Sequence, residues 1–193
     1  MEPHILPKDK ELFYRYLDAA TNYFEFGSGG STVQAALRPN IQRLYSVESD
    51  VAWHTKVKNS LPSQKEGVQL MLVDLHTNGG NWGHPGRTCT NEEKARYSDS
   101  IWAVGMLASQ ALDLILIDGR FRVACALKCF EVISDTCVVL FDDFLNRPQY
   151  HIVLEFYEVV EQTAEKVMAV LRKKAGASAP SSQLILKYEL IAD

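Results

Sequence analysis

Tyr23-Phe24-Glu25-Phe26-Gly27-Ser28-Gly29-Gly30-Ser31-Thr32 is the stretch of sequence that decides the fold. Its aromatic residues are typical of a buried strand, and three glycines within the next four positions predict a turn whose backbone can approach a bound molecule closely. Ser31 is placed to cap the next helix, because its hydroxyl can accept a hydrogen bond from a free N–H of the first helical turn. The stretch therefore predicts a strand, a glycine turn and a helix, in that order.

The glycine turn is compatible with two classes of cofactor. The dinucleotide fingerprint G-x-G-x-x-G ends in a glycine that lets the helix pack closely, and Thr32 stands at that position here. The fingerprint for NAD is therefore incomplete. Glu25 lies two residues before Gly27 and adds a carboxylate at the carboxyl end of the strand, where it would face a ligand that crosses the sheet edge. A carboxylate at that place favours a cationic ligand over a pyrophosphate.

The composition is that of one globular domain. A chain of 193 residues can bury a sizeable core, and 47% hydrophobic and 23% charged residues are ordinary proportions. The net charge of −4 argues against nucleic acid, which requires clustered Lys and Arg. No apolar run approaches the ~20 residues of a membrane helix, and residues 1–4 do not resemble a signal peptide. We therefore expect a cytoplasmic protein with a small-molecule partner, no nucleic acid and no membrane.

Strand-like runs and helical patterns alternate along the rest of the chain. Helical spacing over residues 9–20 predicts an amphipathic helix, so that residues 1–22 would cover the sheet. Further strands are predicted at residues 44–47, 68–73, 114–117 and 137–141, and helices at residues 32–37, 51–61, 98–111 and 123–133. The last two of these strands are apolar without alternation, as in parallel strands that are buried on both faces.

The C-terminal part predicts a helix over residues 149–161 and a hairpin of residues 166–171 and 184–191. No domain linker and no internal repeat is visible, so residues 1–193 are expected to form a single domain. The fold class is therefore α/β, with a doubly wound, mostly parallel sheet closed by an antiparallel C-terminal hairpin strand.

Polar residues follow the second and third predicted strands. Glu48 and Ser49 lie about 20 residues beyond the glycine turn, where a carboxylate can accept hydrogen bonds from ribose hydroxyls. Asp50 or Ser49 is equally suited to cap the following helix, and both roles can coexist. Asp74 ends the third strand.

Three carboxylates follow the fourth and fifth predicted strands. Asp118 comes directly after one strand, and Asp142 and Asp143 come after the other. Like charges that are brought together in a pocket are costly unless they share a cation or a proton, and Mg²⁺ prefers such oxygen ligands. Two interpretations stay open at this point: a divalent metal site, or solvated acids at strand ends.

The loop over residues 76–97 is long for a compact domain, and such loops are commonly functional. Trp82 predicts order within it, and we assign this residue to the wall or lid of the pocket. His84 in the loop and His151 further along are candidate catalytic bases. Arg120 and Arg122 would either recognise an anionic substrate group or neutralise the nearby carboxylates.

The run of an acidic residue, x, Gly, x and Gly from Glu25 to Gly29 resembles the class I S-adenosylmethionine-dependent methyltransferases. The resemblance implies a seven-stranded sheet whose last strand is antiparallel, and a glycine turn that cradles the amino acid end of the cofactor. It also implies that Asp74 lies near the adenine ring. The cofactor site is accordingly assigned to Glu25, Gly27, Ser28, Gly29, Gly30, Ser31, Glu48, Ser49, Asp74 and Asp118.

The spacing of Ile117-Asp118-Gly119 and Phe141-Asp142-Asp143-Phe144 is similar to that of metal-dependent O-methyltransferases of the catechol and macrolide-sugar types. That resemblance implies Asp118, Asp142 and Asp143 as ligands of a divalent ion such as Mg²⁺, with Asp118 in a catalytic role. Asp143 departs from the catechol type, which has asparagine there.

The predicted function is therefore S-adenosylmethionine-dependent methyl transfer to a small molecule, most simply to oxygen. The alternatives are an inactive protein of the same fold that binds S-adenosylmethionine or a nucleotide, and an NAD-dependent oxidoreductase. Thr32 and the absence of a Tyr-x-x-x-Lys pair near the fourth or fifth strand disfavour the oxidoreductase. The acceptor, the methylated atom, metal dependence, activity and the choice between monomer and homodimer are left open.

Overall fold

The computed structural model describes residues 1–79, 81–107, 112–165 and 167–192, with the backbone alone at residues 105–107. The strands are β1 (Asn22–Phe26), β2 (Arg43–Glu48), β3 (Val68–Leu72), β4 (Leu114–Ile117), β5 (Val138–Phe141), β6 (Tyr157–Gln162) and β7 (Ala169–Lys173). The α-helices are α1 (Pro7–Ala19), α2 (Gly30–Ala36), α3 (Val51–Asn59), α4 (Asn91–Leu107), α5 (Arg122–Val132) and α6 (Ser182–Tyr188), and a 3-10 helix spans Pro148–Glu155.

The strands form one seven-stranded sheet in the order β3-β2-β1-β4-β5-β7-β6. β1 pairs in parallel with β2 and β4, and the parallel pairing continues from β2 to β3 and from β4 to β5. β7 runs antiparallel to both β5 and β6. The predicted fold class is confirmed. Strand order reverses between β1 and β4, and open α/β sheets bind their ligands at such a switch point.

Both faces of the sheet are buried, because alternate residues of a strand point to opposite sides. In β4, Ile115 and Ile117 join a core cluster with residues of α4 and α5, whereas Leu114 and Leu116 join a second cluster with residues of α1. All of β4 is therefore apolar and buried. Full burial of one such side chain stabilises the fold by about 1.5–3 kcal/mol.

Helix α4 begins at Asn91, so the predicted loop over residues 76–97 is wrong at its C-terminal end. Thr90 Oγ1 accepts a hydrogen bond from Glu93 N at 3.2 Å, and the Glu93 carboxylate accepts one from Thr90 N at 2.8 Å. This reciprocal pair is a capping box, and its Thr-x-x-Glu signature is present in the sequence. Residues 108–111 of the predicted helix lie outside the described residues.

The C-terminal hairpin consists of β6 and β7, so the predicted helix over residues 149–161 is wrong beyond Glu155. The apolar spacing of Tyr150, Val153 and Tyr157 resembles a helix face. However, β6 is an edge strand whose residues after Tyr157 are mostly exposed, so it lacks the alternation by which strands are recognised. Residue 166 of the predicted hairpin lies outside the described residues.

The last predicted strand, residues 184–191, is also wrong, because residues 182–188 form helix α6. The Ser181 hydroxyl accepts a hydrogen bond from Leu184 N at 3.3 Å and so caps the helix. Ile185 is buried in the same cluster as the residues of α5. A short apolar run fits a helix as well as a strand, and here packing against α5 decides between them.

None of the helices in the described ranges combines the length and the hydropathy that a membrane span requires.

Candidate cofactor and active site

The glycine turn after β1 packs directly on the turn after β4. Gly27 has φ +95°, and a Cβ there would lie 2.8 Å from the carbonyl oxygen of Asp118. A Cβ on Gly119 would in turn lie 2.9 Å from Gly27 N. Because backbone atoms fill both spaces, neither position admits a side chain. The two turns therefore meet at the switch point of the sheet.

Glu25 lies inside this junction and is fully buried. Its carboxylate accepts hydrogen bonds from the Tyr23 hydroxyl at 2.8 Å and from the Thr32 hydroxyl, and the hydroxyls of Ser31 and Ser46 also donate to it. Burial raises the pKa of Glu25 to about 7, against the lowering effect of these donors. Glu25 was expected to face the ligand at the sheet edge, but the structure places it within the chain, in support of the turn.

Thr32 anchors the start of α2. Its hydroxyl oxygen accepts a hydrogen bond from Gly29 N at 2.8 Å and donates to Glu25. The predicted capping role of Ser31 is wrong, because Gly29 is the cap residue and Ser31 lies inside the first helical turn. Thr32 is a site residue that the sequence analysis missed. Its signal is a hydroxyl three residues after the cap, the spacing at which a side chain reaches back to the cap backbone.

Glu48 joins the end of β2 to the glycine turn. Its Oε2 accepts a hydrogen bond from Ser28 N at 3.1 Å, and its Oε1 accepts from Ser49 N at 2.7 Å and from Asp50 N at 2.9 Å. Burial raises the pKa of Glu48, against the lowering effect of the backbone donors. Asp50 caps α3 by accepting from Trp53 N at 2.7 Å, which confirms that prediction.

The N-terminal segment lies across the start of α2. Pro3 is buried, and a Cβ on Gly30 would lie 2.1 Å from the carbonyl oxygen of Glu2. The Gln34 side chain donates to the Glu2 carboxylate at 3.0 Å and so holds the segment from the side of the helix. Gly30 therefore has no side chain because the N-terminal segment occupies that space.

The loop between β3 and α4 lies over the end of β2. Ser49 Oγ donates to the carbonyl oxygen of Gly83 at 3.1 Å, and a Cβ on Gly83 would lie 3.8 Å from Glu48 Oε1. Trp82 is 73% exposed, and its ring lies 5.3 Å from the ring of His4. The N-terminal segment and this loop therefore meet through His4 and Trp82 and form a cover beside the glycine turn.

Asp74 borders a cavity at the end of β3. The cavity has a volume of 330 Å³ and is lined by Leu72, Val73, Asp74, His76, Glu93 and Arg96. Asp74 Oδ1 accepts a hydrogen bond from His76 N at 2.7 Å. The volume is of the order found for small-molecule sites. Asp74, which the resemblance places near an adenine ring, thus borders this cavity.

Three carboxylates converge on Arg122 at the ends of β4 and β5. The Arg122 side chain is 4% exposed, and its nitrogens lie 3.1 Å from an oxygen of Asp118, 3.8 Å from one of Asp142 and 3.3 Å from one of Asp143. Arg147 lies 2.8 Å from Asp143. Burial raises the pKa of Asp142 to about 9, and the neighbouring Asp118 carboxylate adds to the rise. Both effects are opposed by the Arg122 guanidinium, which favours the charged form of Asp142.

The arrangement does not support the predicted Mg²⁺ site. The structure brings Asp118, Asp142 and Asp143 together, but the guanidinium of Arg122, which stays charged in proteins, lies among them. Across the ranges that the structure describes, no group of three or more His, Cys, Asp or Glu side chains could hold a metal ion. Of the two roles considered for Arg122, neutralisation of the carboxylates is the one observed.

The loop brings His84 to the end of β4. Its Nε2 lies 2.9 Å from Nη1 of Arg120, and because arginine can only donate, Nε2 is the acceptor in this contact. Arg120 is 8% exposed, and burial lowers its pKa. A Cβ on Gly119 would lie 2.0 Å from the Tyr97 hydroxyl oxygen, so this hydroxyl fills the space beside the turn. The predicted base and one predicted substrate residue are therefore neighbours.

His151 lies in the 3-10 helix and is engaged elsewhere. Its Nε2 is 3.0 Å from the carbonyl oxygen of Phe144, to which it donates, and its ring lies 5.0 Å from the Phe144 ring. These contacts join the helix to the segment after β5. The structure thus ties His151 to Phe144, whereas His84 is tied to Arg120.

The sequence and the fold were compared with those of known proteins. No protein-family model matches the sequence, and no curated protein sequence matches it. Solved structures do match. A methyltransferase-like protein from Silicibacter pomeroyi is 30% identical, with a TM-score of 0.81, and the match covers 100% of this chain and 98% of that one.

More distant structures share the fold alone. A protein assigned as a caffeoyl-CoA O-methyltransferase from Staphylococcus aureus is 15% identical, with a TM-score of 0.60 over 90% of this chain and 86% of its own. The N-methyltransferase NodS from Bradyrhizobium japonicum, in complex with S-adenosyl-L-homocysteine, is 13% identical, with a TM-score of 0.53 over 86% and 88%.

The strand order and the glycine turn beside Glu48 define a protein with the class I S-adenosylmethionine-dependent methyltransferase fold. The similarity to the Silicibacter pomeroyi protein over both full lengths then shows the family: the chain belongs to the methyltransferase-like proteins. The prediction of an enzyme of the methyltransferase class is confirmed at the level of fold and family.

Proposed function

We propose that the chain transfers a methyl group from S-adenosylmethionine to an oxygen atom of a small molecule. One observation carries the proposal: the Ser28 N–H of the glycine turn donates to Glu48 at 3.1 Å, beside the switch point of the sheet. The turn would cradle the amino acid end of the cofactor, and Glu48 and Ser49 would receive the ribose. The adenine would then lie towards Asp74 and its cavity.

Glu48 retains the capacity that this role requires. A carboxylate oxygen has two lone pairs, so Oε2 can accept from a ribose hydroxyl as well as from Ser28 N. The three contacts to Oε1 come from Ser49 and Asp50 and fix the orientation of the carboxylate. The cover formed by the N-terminal segment and the loop around Trp82 would close over the bound cofactor and exclude water.

Methyl transfer is a direct displacement. The acceptor oxygen forms a bond to the methyl carbon as the carbon–sulfur bond breaks, and the sulfonium leaves as the neutral thioether. Catalysis then rests on holding the two reacting atoms in line. The acceptor hydroxyl would release its proton to water, because the single lone pair of His84 Nε2 already accepts from Arg120. Asp118 lies at the same edge of the sheet, whereas His151 has no role in this proposal.

The contacts of Thr32 disfavour NAD as the cofactor. Thr32 binds both Gly29 N and Glu25, so the position where a dinucleotide site needs a glycine carries a hydroxyl in structural use. The net charge of −4 agrees with a small-molecule acceptor rather than nucleic acid.

Gly29 offers a direct test of cofactor binding. A Cβ there meets no atom within 4 Å, and φ is −178°, so Gly29→Ala should fold as the wild type does. If the turn cradles the cofactor, the added methyl group would enter the space of the ligand. We expect the affinity for S-adenosylhomocysteine, measured by titration calorimetry, to fall by about tenfold or more, which corresponds to about 1.4 kcal/mol.

Gly176→Ala is the matched control for this test. It also adds a methyl group that meets no atom within 4 Å, but at φ +74° and between β7 and α6. It should lower the melting temperature slightly and leave the affinity unchanged. In the wild type, S-adenosylhomocysteine at 100 times its Kd should add about 2.7 kcal/mol, or about 5–10 °C of melting temperature. Wild-type protein that responds to NAD and not to S-adenosylhomocysteine would refute the proposal.

A further inference from the structure

The Arg122 guanidinium donates hydrogen bonds to the turns after β4 and β5, which carry the aspartates. Its Nε donates to the carbonyl oxygen of Gly119 at 3.0 Å, and its Nη1 donates to the carbonyl oxygen of Asp142 at 2.6 Å. Its Nη2 donates to Asp118 Oδ1 at 3.1 Å, and its Nη1 lies 3.3 Å from Asp143 Oδ2. The guanidinium is therefore held by backbone and side-chain oxygens from both strand ends.

A divalent ion bound by the same three residues would compete with this guanidinium. Mg²⁺ requires oxygen ligands at about 2.0–2.1 Å in an octahedral arrangement. The aspartate oxygens at 3.1 Å, 3.8 Å and 3.3 Å from the Arg122 nitrogens instead surround an extended, planar cation. Two cations in one buried place repel each other strongly, because the surroundings screen charge poorly.

Arg122 cannot move aside without cost. It is the first residue of α5 and its side chain is 4% exposed. To leave the aspartates, it would have to break its hydrogen bonds to the carbonyl oxygens of Gly119 and Asp142, and these buried acceptors would then lack a donor. Burial thus favours the arginine over an incoming ion.

We infer that Arg122 takes the place of a divalent ion in this chain: it is a positioning residue that gathers Asp118, Asp142 and Asp143, and methyl transfer proceeds without a metal. This inference rests on the proposed function, which it deepens. The positive charge that a metal ion would bring to the ends of β4 and β5 comes instead from Arg122 of α5.

The first test is made on the wild-type protein with Mn²⁺ as the probe. We expect the electron paramagnetic resonance signal of free Mn²⁺ to be undiminished by the protein. We also expect Mg²⁺, Mn²⁺ and EDTA to leave its melting temperature unchanged. Binding of Mn²⁺ that is lost in Asp142→Asn would overturn the inference, because the aspartates would then hold an ion while Arg122 is present.

The second test removes the guanidinium. Arg122→Met keeps a long apolar stem but leaves buried carboxylates without their cation, and we expect the melting temperature to fall by about 10 °C. Millimolar Mn²⁺ should recover part of this loss, since the three carboxylates are then free to bind it. Arg122→Met that folds and shows no response to Mn²⁺ would contradict the claim that the arginine takes the place of an ion.

Arg147→Met is the matched control, because Arg147 pairs with Asp143 at 2.8 Å but is 36% exposed at its side chain. We expect a loss of at most about 3 °C and no response to Mn²⁺. If Arg122→Met does not fold, the comparison of Mn²⁺ binding between the wild type and Asp142→Asn decides by itself whether the aspartates hold an ion. S-adenosylhomocysteine is included in the same melting experiments. Absence of any response to it refutes the proposed function, whereas Mn²⁺ binding at the aspartates refutes this inference only.

Discussion

The carboxyl edge of the sheet carries two acidic regions that are stabilised in different ways. In the region around β1 and β2, Glu25 and Glu48 accept hydrogen bonds from hydroxyls and backbone N–H groups, which are neutral donors. In the region around β4 and β5, the three aspartates lie against Arg122, and Arg147 adds a further cation. The two regions touch where Gly27 packs on the turn after β4.

The difference between neutral donors and arginines predicts how each region would respond to a charged ligand. Neutral donors orient a carboxylate without cancelling its charge, whereas an arginine cancels it. At an effective dielectric constant of about 20, two unit charges 4 Å apart still interact by about 4 kcal/mol. On the proposed function, Glu48 of the first region would attract a cation such as a sulfonium, whereas the second region has its cation built in. We expect three changes to separate the two regions experimentally.

Gly27→Ala should have the largest effect, because it breaks the contact between the two regions. The new Cβ would lie 2.8 Å from the Asp118 carbonyl oxygen at φ +95°. Overpacking and left-handed strain together should cost about 3–5 kcal/mol, or about 10 °C of melting temperature. Thermal unfolding measures this, with Gly29→Ala as the control. A melting temperature equal to that of the wild type would mean that the two turns are not in contact.

Glu25→Gln should change how the free energy of unfolding depends on pH, and so tests the burial of Glu25 in the first region. The pKa of Glu25 is raised from 4.5 to about 7, so the folded state binds more protons than the unfolded state between these values. Its contribution to stability is full below the unfolded pKa and is lost as the pH rises through about 7. The loss amounts to about 3 kcal/mol in the wild type and should be absent from Glu25→Gln.

Urea unfolding between about pH 4.5 and 7.5 measures this difference as the slope of unfolding free energy against pH. Glu161→Gln is the control, because its pKa is lowered by Arg15 rather than raised. That variant should keep the decline of the wild type. Parallel curves for the wild type and Glu25→Gln would show that Glu25 ionises at its ordinary pKa and is not enclosed by the chain.

Asp143→Asn should have the smallest effect, because Asp143 and its partner Arg147 are both partly exposed, and its second partner Arg122 keeps Asp118 and Asp142. Asparagine tolerates the φ of +58° at this position, so the backbone should not change. We expect a loss of about 1 kcal/mol that shrinks in high salt, measured by urea unfolding at two salt concentrations. A loss above about 3 kcal/mol would show that the pair with the buried Arg122, and not the pair with Arg147, dominates the contribution of Asp143.

The sequence predicts the N-terminal part of the fold better than the C-terminal part. The glycine turn and the buried strands that precede Asp118 and Asp142 carry strong local signals, and the structure places them as expected. The start of α4 at Asn91 was predictable from the capping box of Thr90 and Glu93. In contrast, the exposed edge strand β6 and the apolar helix α6 have patterns that fit two structures, so only their neighbours distinguish them.

What the sequence by itself determined is therefore the order of strands and helices up to β5, the backbone freedom of the glycine turn and the set of acids at one edge. These depend on residue type and spacing along the chain, which are local properties. Only the tertiary structure decided which partner each acid receives. Hydroxyls of β1, α2 and β2 reach Glu25, and Arg122 of α5 reaches the aspartates. Such contacts depend on how distant elements pack, because burial and the nearest donor set the charge of a carboxylate.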